Sequence, residues 1–366
     1  MLKQQKIFFD FLRFCIGSAK EIPSSLKEAD WKELYCIAQK QCLVGILFDG
    51  IQKLPPAEVG MSKDLLLQWM MQCQMLEKAN VRLNDAVIQV SEWFRKKGFR
   101  TCILKGQGNA LLYPNGLHRT PGDIDIWVEG GDKQVISFVR SISPHEKACY
   151  HHIEFPSYKG VEVEVHYRPS FLLCFWHNRK LQKYYERVKE EQFSHRVMLG
   201  EQGEMAIPTV EFNLIFQLTH IYAHLMNEGI GLRQLLDYYY VLISDDLLLI
   251  RDRVQKELKE LGLWKFAGAI MYIMQEVFGM PASRLIVPPN EKYGRFVLNE
   301  VLEAGNFGKH DERNRFGRSK LGHNLQRVYR DMRLVRYFPA EALCEPIFRV
   351  WHFFWRLRWD FTCRLR

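Results

Sequence analysis

The sequence lacks any uninterrupted apolar stretch near the roughly 18 residues that a bilayer span needs, so no transmembrane helix is expected. Asp10 and Arg13 break the early apolar run, which the core of a secretory signal would not tolerate. Nine cysteines are scattered without a single C-x-x-C pair, which excludes a zinc ribbon and a disulfide framework and points to reduced thiols in a cytoplasm. No Gly-Lys-Ser or Gly-Lys-Thr closes a glycine loop, so a Walker A phosphate site is also excluded. Internal repeats and long low-complexity segments are absent.

What is present is an ordinary globular composition, 47% apolar and 25% charged over 366 residues, long enough for two or three domains. The formal net charge of +9 favours anionic partners such as nucleotides, nucleic acid or an acidic membrane surface, without choosing among them.

Apolar residues recur at helical spacing through residues 7–94, as in Trp31, Leu34, Tyr35 and Ala38, and predict an amino-terminal bundle of four or so helices. The period changes after Lys96-Lys97-Gly98. Residues 99–104 and 123–128 have strand character, 108–113 and 132–142 helical character, and 151–155 with 161–167 the look of a hairpin. Helical spacing returns after Pro208 and continues to the end. The expected fold is therefore α+β: a small mixed sheet with its helices, set between helical regions. The expected units are residues 1–95, 96–200 and 201–366, with the sheet and its helices at about 99–196.

In Gly122-Asp123-Ile124-Asp125-Ile126 the two aspartates are one residue apart, so on a strand they project from one face. Their mutual repulsion is costly unless a cation lies between them, and grouped hard oxygens suit magnesium or manganese. Val161-Glu162-Val163-Glu164-Val165-His166 repeats the pattern, with Glu162, Glu164 and His166 on one face. If this strand lies beside the first, a third carboxylate joins, and three such groups can hold two cations for phosphoryl chemistry. Glu162 alone reads better as an exposed edge residue.

Ahead of the aspartates, Leu104-Lys105-Gly106-Gln107-Gly108 forms a strand-to-helix turn, a setting in which backbone amides meet phosphate oxygens. Lys105 and Arg119 are the nearest cations in sequence for a triphosphate. In the order of these parts the chain resembles the DNA polymerase beta-like nucleotidyltransferase superfamily. The Leu-Lys-Gly opening, Arg119 before the Asp-x-Asp, and Glu164-Val165-His166-Tyr167 are similar to an uncharacterised bacterial group within it. The motif region covers residues 99–168. The resemblance implies a nucleotidyltransferase that moves a nucleoside monophosphate from a triphosphate, with ATP the default, to an unknown hydroxyl or phosphate acceptor. It implies Asp123, Asp125 and Glu164 as catalytic metal ligands for magnesium or manganese, and Lys105, Gly106, Gln107, Gly108 and Arg119 around the nucleotide. The superfamily usually has serine where this chain has Gln107, and the stretch to Asp123 is longer here.

Other patterns admit two readings. His220 and His224 lie four apart and can face one metal, but without a following Glu or a third ligand they read better as cleft or interior histidines. Arg233 and Asp237 can pair across a helical turn. Residues 306–336 hold nine Lys and Arg against three acids, among them Arg327, Arg330, Arg333 and Arg336 at steps of three. That stripe suits phosphates or a solvated face. Gly305 to His310 is a candidate mobile loop over the site. The tail 347–366 mixes tryptophan, phenylalanine and arginine; it suits an anionic membrane, or docking on the preceding helices, which we favour. The second function class is a catalytically silent module of the same fold that binds RNA or a phosphorylated partner through the basic carboxyl-terminal helices.

Overall fold

The structure, a computed structural model, describes residues 3–56, 59–244, 246–309, 311, 313 and 320–364. Four helices open the chain: α1 (Lys3–Cys15), α2 (Trp31–Lys40), α3 (Val44–Ile51) and the long α4 (Lys63–Lys96). The sheet region follows, with β1 (Thr101–Ile103), a one-turn α5 (Gln107–Ala110), β2 (Ile124–Val128), α6 (Gly131–Ile142), β3 (His152–Tyr158) and β4 (Val161–His166). Next come α7 (Phe175–Ser194) and a small hairpin, β5 (Arg196–Met198) with β6 (Glu204–Ala206). Helices α8 (Val210–Asn227), α9 (Leu232–Leu242), α10 (Leu247–Glu260), α11 (Trp264–Phe278), α12 (Glu291–Ala304), α13 (Lys320–Leu334) and α14 (Pro339–Arg364) complete it. Among the described residues no helix is long and apolar enough to cross a membrane.

The four-stranded sheet has the order β1-β2-β4-β3 and is mixed: β2 and β4 run parallel, and the two outer pairings are antiparallel. The fold is thus α+β, a small mixed sheet flanked by helices, as the changes of period predict. The β3–β4 turn is Lys159-Gly160, with φ of 51° and 79°, the doubly left-handed geometry that a two-residue hairpin requires. The β5–β6 hairpin was not foreseen, because three-residue strands are too short to show an alternation.

One face of the sheet is apolar. Ile124, Ile126, Val128, Val163 and Val165 pack with Leu83, Val87 and Phe94 of α4 and with Val135 and Val139 of α6. The first half of α4, through Trp69 and Cys73, instead joins the larger helical core of α1–α3 and α8–α12. The long α4 therefore spans both cores, and Cys102 and Trp127 of the sheet also join the larger one. The helix starts at Ser62, whose hydroxyl accepts the Leu65 amide at 3.3 Å, and stops at Gly98, whose φ of 86° cannot continue a helix.

Candidate active site

The other face of the sheet carries the charged groups, and the strand register places them. Asp125 of β2 lies directly opposite Glu164 of the parallel β4, and His166 opposite His152 of the antiparallel β3. Asp123 stands one residue before β2, two before Asp125 and so on the same side. Carboxylate oxygens of Asp123, Asp125 and Glu164 all lie within 4.8 Å of one another. Glu162 is exposed and outside the cluster.

Two cations hold the centre of this group. Lys105 Nζ donates to Asp125 Oδ1 at 2.8 Å and to His220 Nε2 at 3.1 Å. His166 Nε2 lies 3.0 Å from the same Asp125 oxygen and 3.4 Å from Glu164 Oε2, while its Nδ1 lies 3.4 Å from the Arg168 carbonyl. Burial opposes a charged His166, but the hydrogen bonds and charges of Asp125 and Glu164 outweigh it and hold the imidazolium up at about 9. Burial likewise opposes ionised Asp125, yet Lys105 and His166 bring it well below the usual carboxylate range. Asp123 goes the other way: the charge of Asp125, then burial, push it up to about 6 despite Lys105. Burial would raise Glu164 as well, but the His166 hydrogen bond lowers it. His152 Nδ1 sits 3.2 Å from Glu164 Oε2 and 3.1 Å from His151 Nε2.

The set of donors is what a hard divalent cation requires: three carboxylates with converging oxygens and one, Asp123, under like-charge pressure. Lys105 engages one oxygen of Asp125 and supplies partial neutralisation of its own.

A cleft opens from these acids, lined by Lys105, Gly106, Asp123, His220, Arg233 and Phe307 among others. Gly106 has φ 58° and ψ −112°, a conformation that only glycine adopts readily, and this turns the chain from β1 into α5. Gln107 and Gly108 do not line the cleft as expected. Gln107 is buried, with its amide donating to Asn84 of α4, and Gly108 packs on Ile207, because the tight one-turn α5 rotates them away from the acids. Asn109 takes their place, held by Gln217 of α8 at 2.9 Å.

Arg119 lines the cleft but is not a free cation. Its guanidinium grips Asp237 of α9 by two bonds of 2.8 Å, and Tyr113 adds a third to the same carboxylate at 2.6 Å. The predicted Arg233–Asp237 pair is therefore replaced by a long-range one. Arg233 makes no ion pair among the described residues: Nη1 donates to the Thr120 carbonyl at 3.3 Å, Nε is buried without a partner, and the guanidinium lies 5.9 Å from the Phe307 ring. Phe307, at the candidate loop, has a φ of 53° and also meets His224 at 5.0 Å. His220 lines the cleft, while His224 meets Phe307 and pairs with Glu228 at 2.5 Å; neither belongs to a candidate metal cluster among the described residues.

Sequence reasoning passed over Asn80, whose amide in mid-α4 donates to the carbonyls of Leu117 and Arg119 at 2.7 and 2.9 Å and fixes the approach to the aspartates. A buried asparagine inside an apolar helical face was the available signal. His152 left no such signal, because only the antiparallel register brings it to Glu164.

The expected basic stripe is only partly free: Arg327 and Arg336 are exposed, with Arg327 4.0 Å from Glu345, while its other arginines are drawn to acids. Arg333 bonds Glu300 at 3.1 Å, Arg313 bonds Glu300 and Asp311 at 2.8 Å, and Arg330 is buried 4.0 Å from Asp311. Helical rotation at steps of three turns the middle of the stripe, Arg330 and Arg333, towards acids of α12 and the loop after it. His310, Arg315, Arg318 and Arg366 lie outside the described residues.

The family model described as "uncharacterised nucleotidyltransferase" matches residues 27–279. Among solved structures, an antigenic nucleotidyltransferase-like protein from Paracoccidioides brasiliensis is similar, at 14% identity and a TM-score of 0.28, over 50% of this chain and 92% of that one. A likeness that loose carries no argument about chemistry. No curated protein matches the chain.

Proposed function

We propose, from the premise that this chain belongs to the uncharacterised nucleotidyltransferase family, that its cleft moves a nucleoside monophosphate from a nucleoside triphosphate to a hydroxyl or phosphate acceptor, with pyrophosphate leaving. The observation that carries the reading is the convergence of Asp123, Asp125 and Glu164 within 4.8 Å beside the Lys105-Gly106 turn. Magnesium or manganese fits these three carboxylates, and bound there it would supply charge stabilisation to the phosphate oxygens.

The remaining work falls to the chain's own groups. Asp125 is oriented by Lys105 and His166, so its free oxygen keeps a fixed direction. Lys105, 18% exposed, presents its ammonium to the cleft for phosphate oxygens. Arg233 offers a buried guanidinium with unused donor capacity on the same wall. Arg119, fastened to Asp237, keeps that wall in place. In this reading the chemistry belongs to residues 96–200, while the helices of residues 201–366 close the cleft. ATP remains the default, since no base-reading feature is visible in the sequence. The cysteines, unpaired among the described side chains, and the resemblance to a bacterial group support a bacterial cytoplasm as the setting. The silent, nucleic-acid-binding alternative has less basic surface than the spacing suggests, because the arginines at 313, 330 and 333 face acids, leaving Arg327 and Arg336 of the stripe exposed.

The test is to give the purified protein each triphosphate with magnesium and a cell extract, and to follow pyrophosphate release and label incorporation. Turnover by the wild type that Asp123→Asn abolishes supports the reading. Turnover unchanged in that variant, or none with any triphosphate, refutes it.

A further inference from the structure

We infer that the outer face of the α13–α14 pair is a docking surface for an anionic lipid bilayer, on which α14 lies in the plane of the membrane. The inner face of α14 is already satisfied. Phe348 stacks on Phe171 at 5.2 Å and meets Tyr150 edge-on at 5.6 Å, and Trp355 and Trp359 pack against the core under the sheet. Docking on the body of the protein therefore accounts for one side only.

The outer side is apolar in a regular way. Leu343, Ile347, Val350 and Phe354 follow one another at steps of four, three and four, so they form one stripe along the helix, and each is 60–63% exposed. On α13, Leu325, Val328 and Met332 repeat the spacing at 45%, 45% and 69% exposure. Scattered exposed apolar residues need no explanation, but two aligned stripes on neighbouring helices do.

Charge selects the occupant. Three acids of the two helices, among those whose side chains are described, are turned inward: Asp331 is 8% exposed, and Glu341 and Glu345 are 3% each. Glu341 accepts the amides of Leu173 and Cys174 at the start of α7, and Glu345 accepts from Arg349 at 2.7 Å. The exposed charges that remain described, Arg327, Arg336, Arg356 and Arg358, are all positive. An apolar stripe whose exposed charges, among the described side chains, are arginines is the pattern of a helix lying at an anionic interface, where the arginine stems reach past the apolar layer to lipid phosphates. A second copy of the chain suits the face less well, since a two-fold contact sets the same patch against itself and brings arginines together.

The full-length protein is to be sedimented with vesicles of phosphatidylglycerol and phosphatidylcholine, and with vesicles of phosphatidylcholine alone. The wild type is expected to bind the anionic vesicles and to leave the neutral ones. Ile347→Glu with Phe354→Glu, and separately Arg336→Glu with Arg356→Glu, should each weaken binding by about tenfold or more without a change in melting temperature, since all four side chains are exposed. The inference is overturned if the wild type ignores anionic vesicles, binds both kinds equally, or binds unchanged in both double variants. It is also overturned if light scattering shows a dimer that Ile347→Glu with Phe354→Glu dissociates.

Discussion

Arg119 and Asp237, 118 positions apart, meet as a buried bidentate ion pair, with Nε to Oδ1 and Nη2 to Oδ2 both 2.8 Å. The pair joins the segment just ahead of the aspartates to α9 and so fixes one wall of the cleft against the sheet. Burial favours neutral groups, yet each partner holds the other charged, with Asp237 below and Arg119 above its ordinary value.

Removing one half of that pair is predicted to cost more than removing both. Asp237→Leu leaves a buried guanidinium uncompensated and should destabilise the protein by roughly 3–5 kcal/mol. The double variant Arg119→Met, Asp237→Leu should recover much of the loss. Urea denaturation of the two singles and the double measures the coupling, and additive losses would show the pair to be unimportant.

The two aspartates should behave differently when neutralised. Asp123 carries the strain of its neighbour's charge, so Asp123→Asn relieves repulsion and is expected to leave the melting temperature unchanged or higher while ending turnover. Asp125→Asn deprives Lys105 and His166 of their shared counter-charge and should lower stability as well. Thermal melts set beside pyrophosphate release decide this, and equal melting temperatures for both variants would contradict it.

Divalent cation is expected to stabilise the folded chain by mass action, by about 2.7 kcal/mol at a hundred times its dissociation constant. The readout is the melting temperature with added manganese, in wild type and in Asp123→Asn. An equal rise in both would place the cation elsewhere.

His118 lies between Asp49 at 2.6 Å and Glu77 at 2.9 Å, and the hydrogen bond to Asp49 raises its pKa despite burial. A histidine raised on folding adds stability in full below its unfolded value of about 6.5, and this is lost as pH climbs through the higher folded value. The stability difference between wild type and His118→Gln should therefore shrink as pH rises from about 6 towards 9. A difference that stays flat in melts across that range would refute the link.

Gly106→Ala tests the turn. A side chain at φ 58° and ψ −112° is strained wherever space allows it, and a cost of roughly 1–3 kcal/mol is expected. Since Gly106 lines the cleft, affinity for triphosphate should fall too. A variant with unchanged stability and affinity would show the turn to be permissive.

The sequence by itself determined the class of the fold and the candidate acids. The change of period after Gly98 announces a sheet between helical regions, and the alternation in Asp123-Ile124-Asp125 and in Val163-Glu164-Val165 sets which side chains share a face, because a strand repeats every two residues whatever surrounds it. Only tertiary structure decided what those faces meet. The parallel pairing of β2 with β4 sets Asp125 against Glu164, the antiparallel β3 adds His152, and α9 takes Arg119 away from the role its position suggests. Such partners lie tens to hundreds of residues apart, and their meeting depends on how elements pack rather than on any local pattern. The same holds for the arginines of α13, whose spacing is visible in the chain but whose acids at Glu300 and Asp311 become neighbours only when the helices close together.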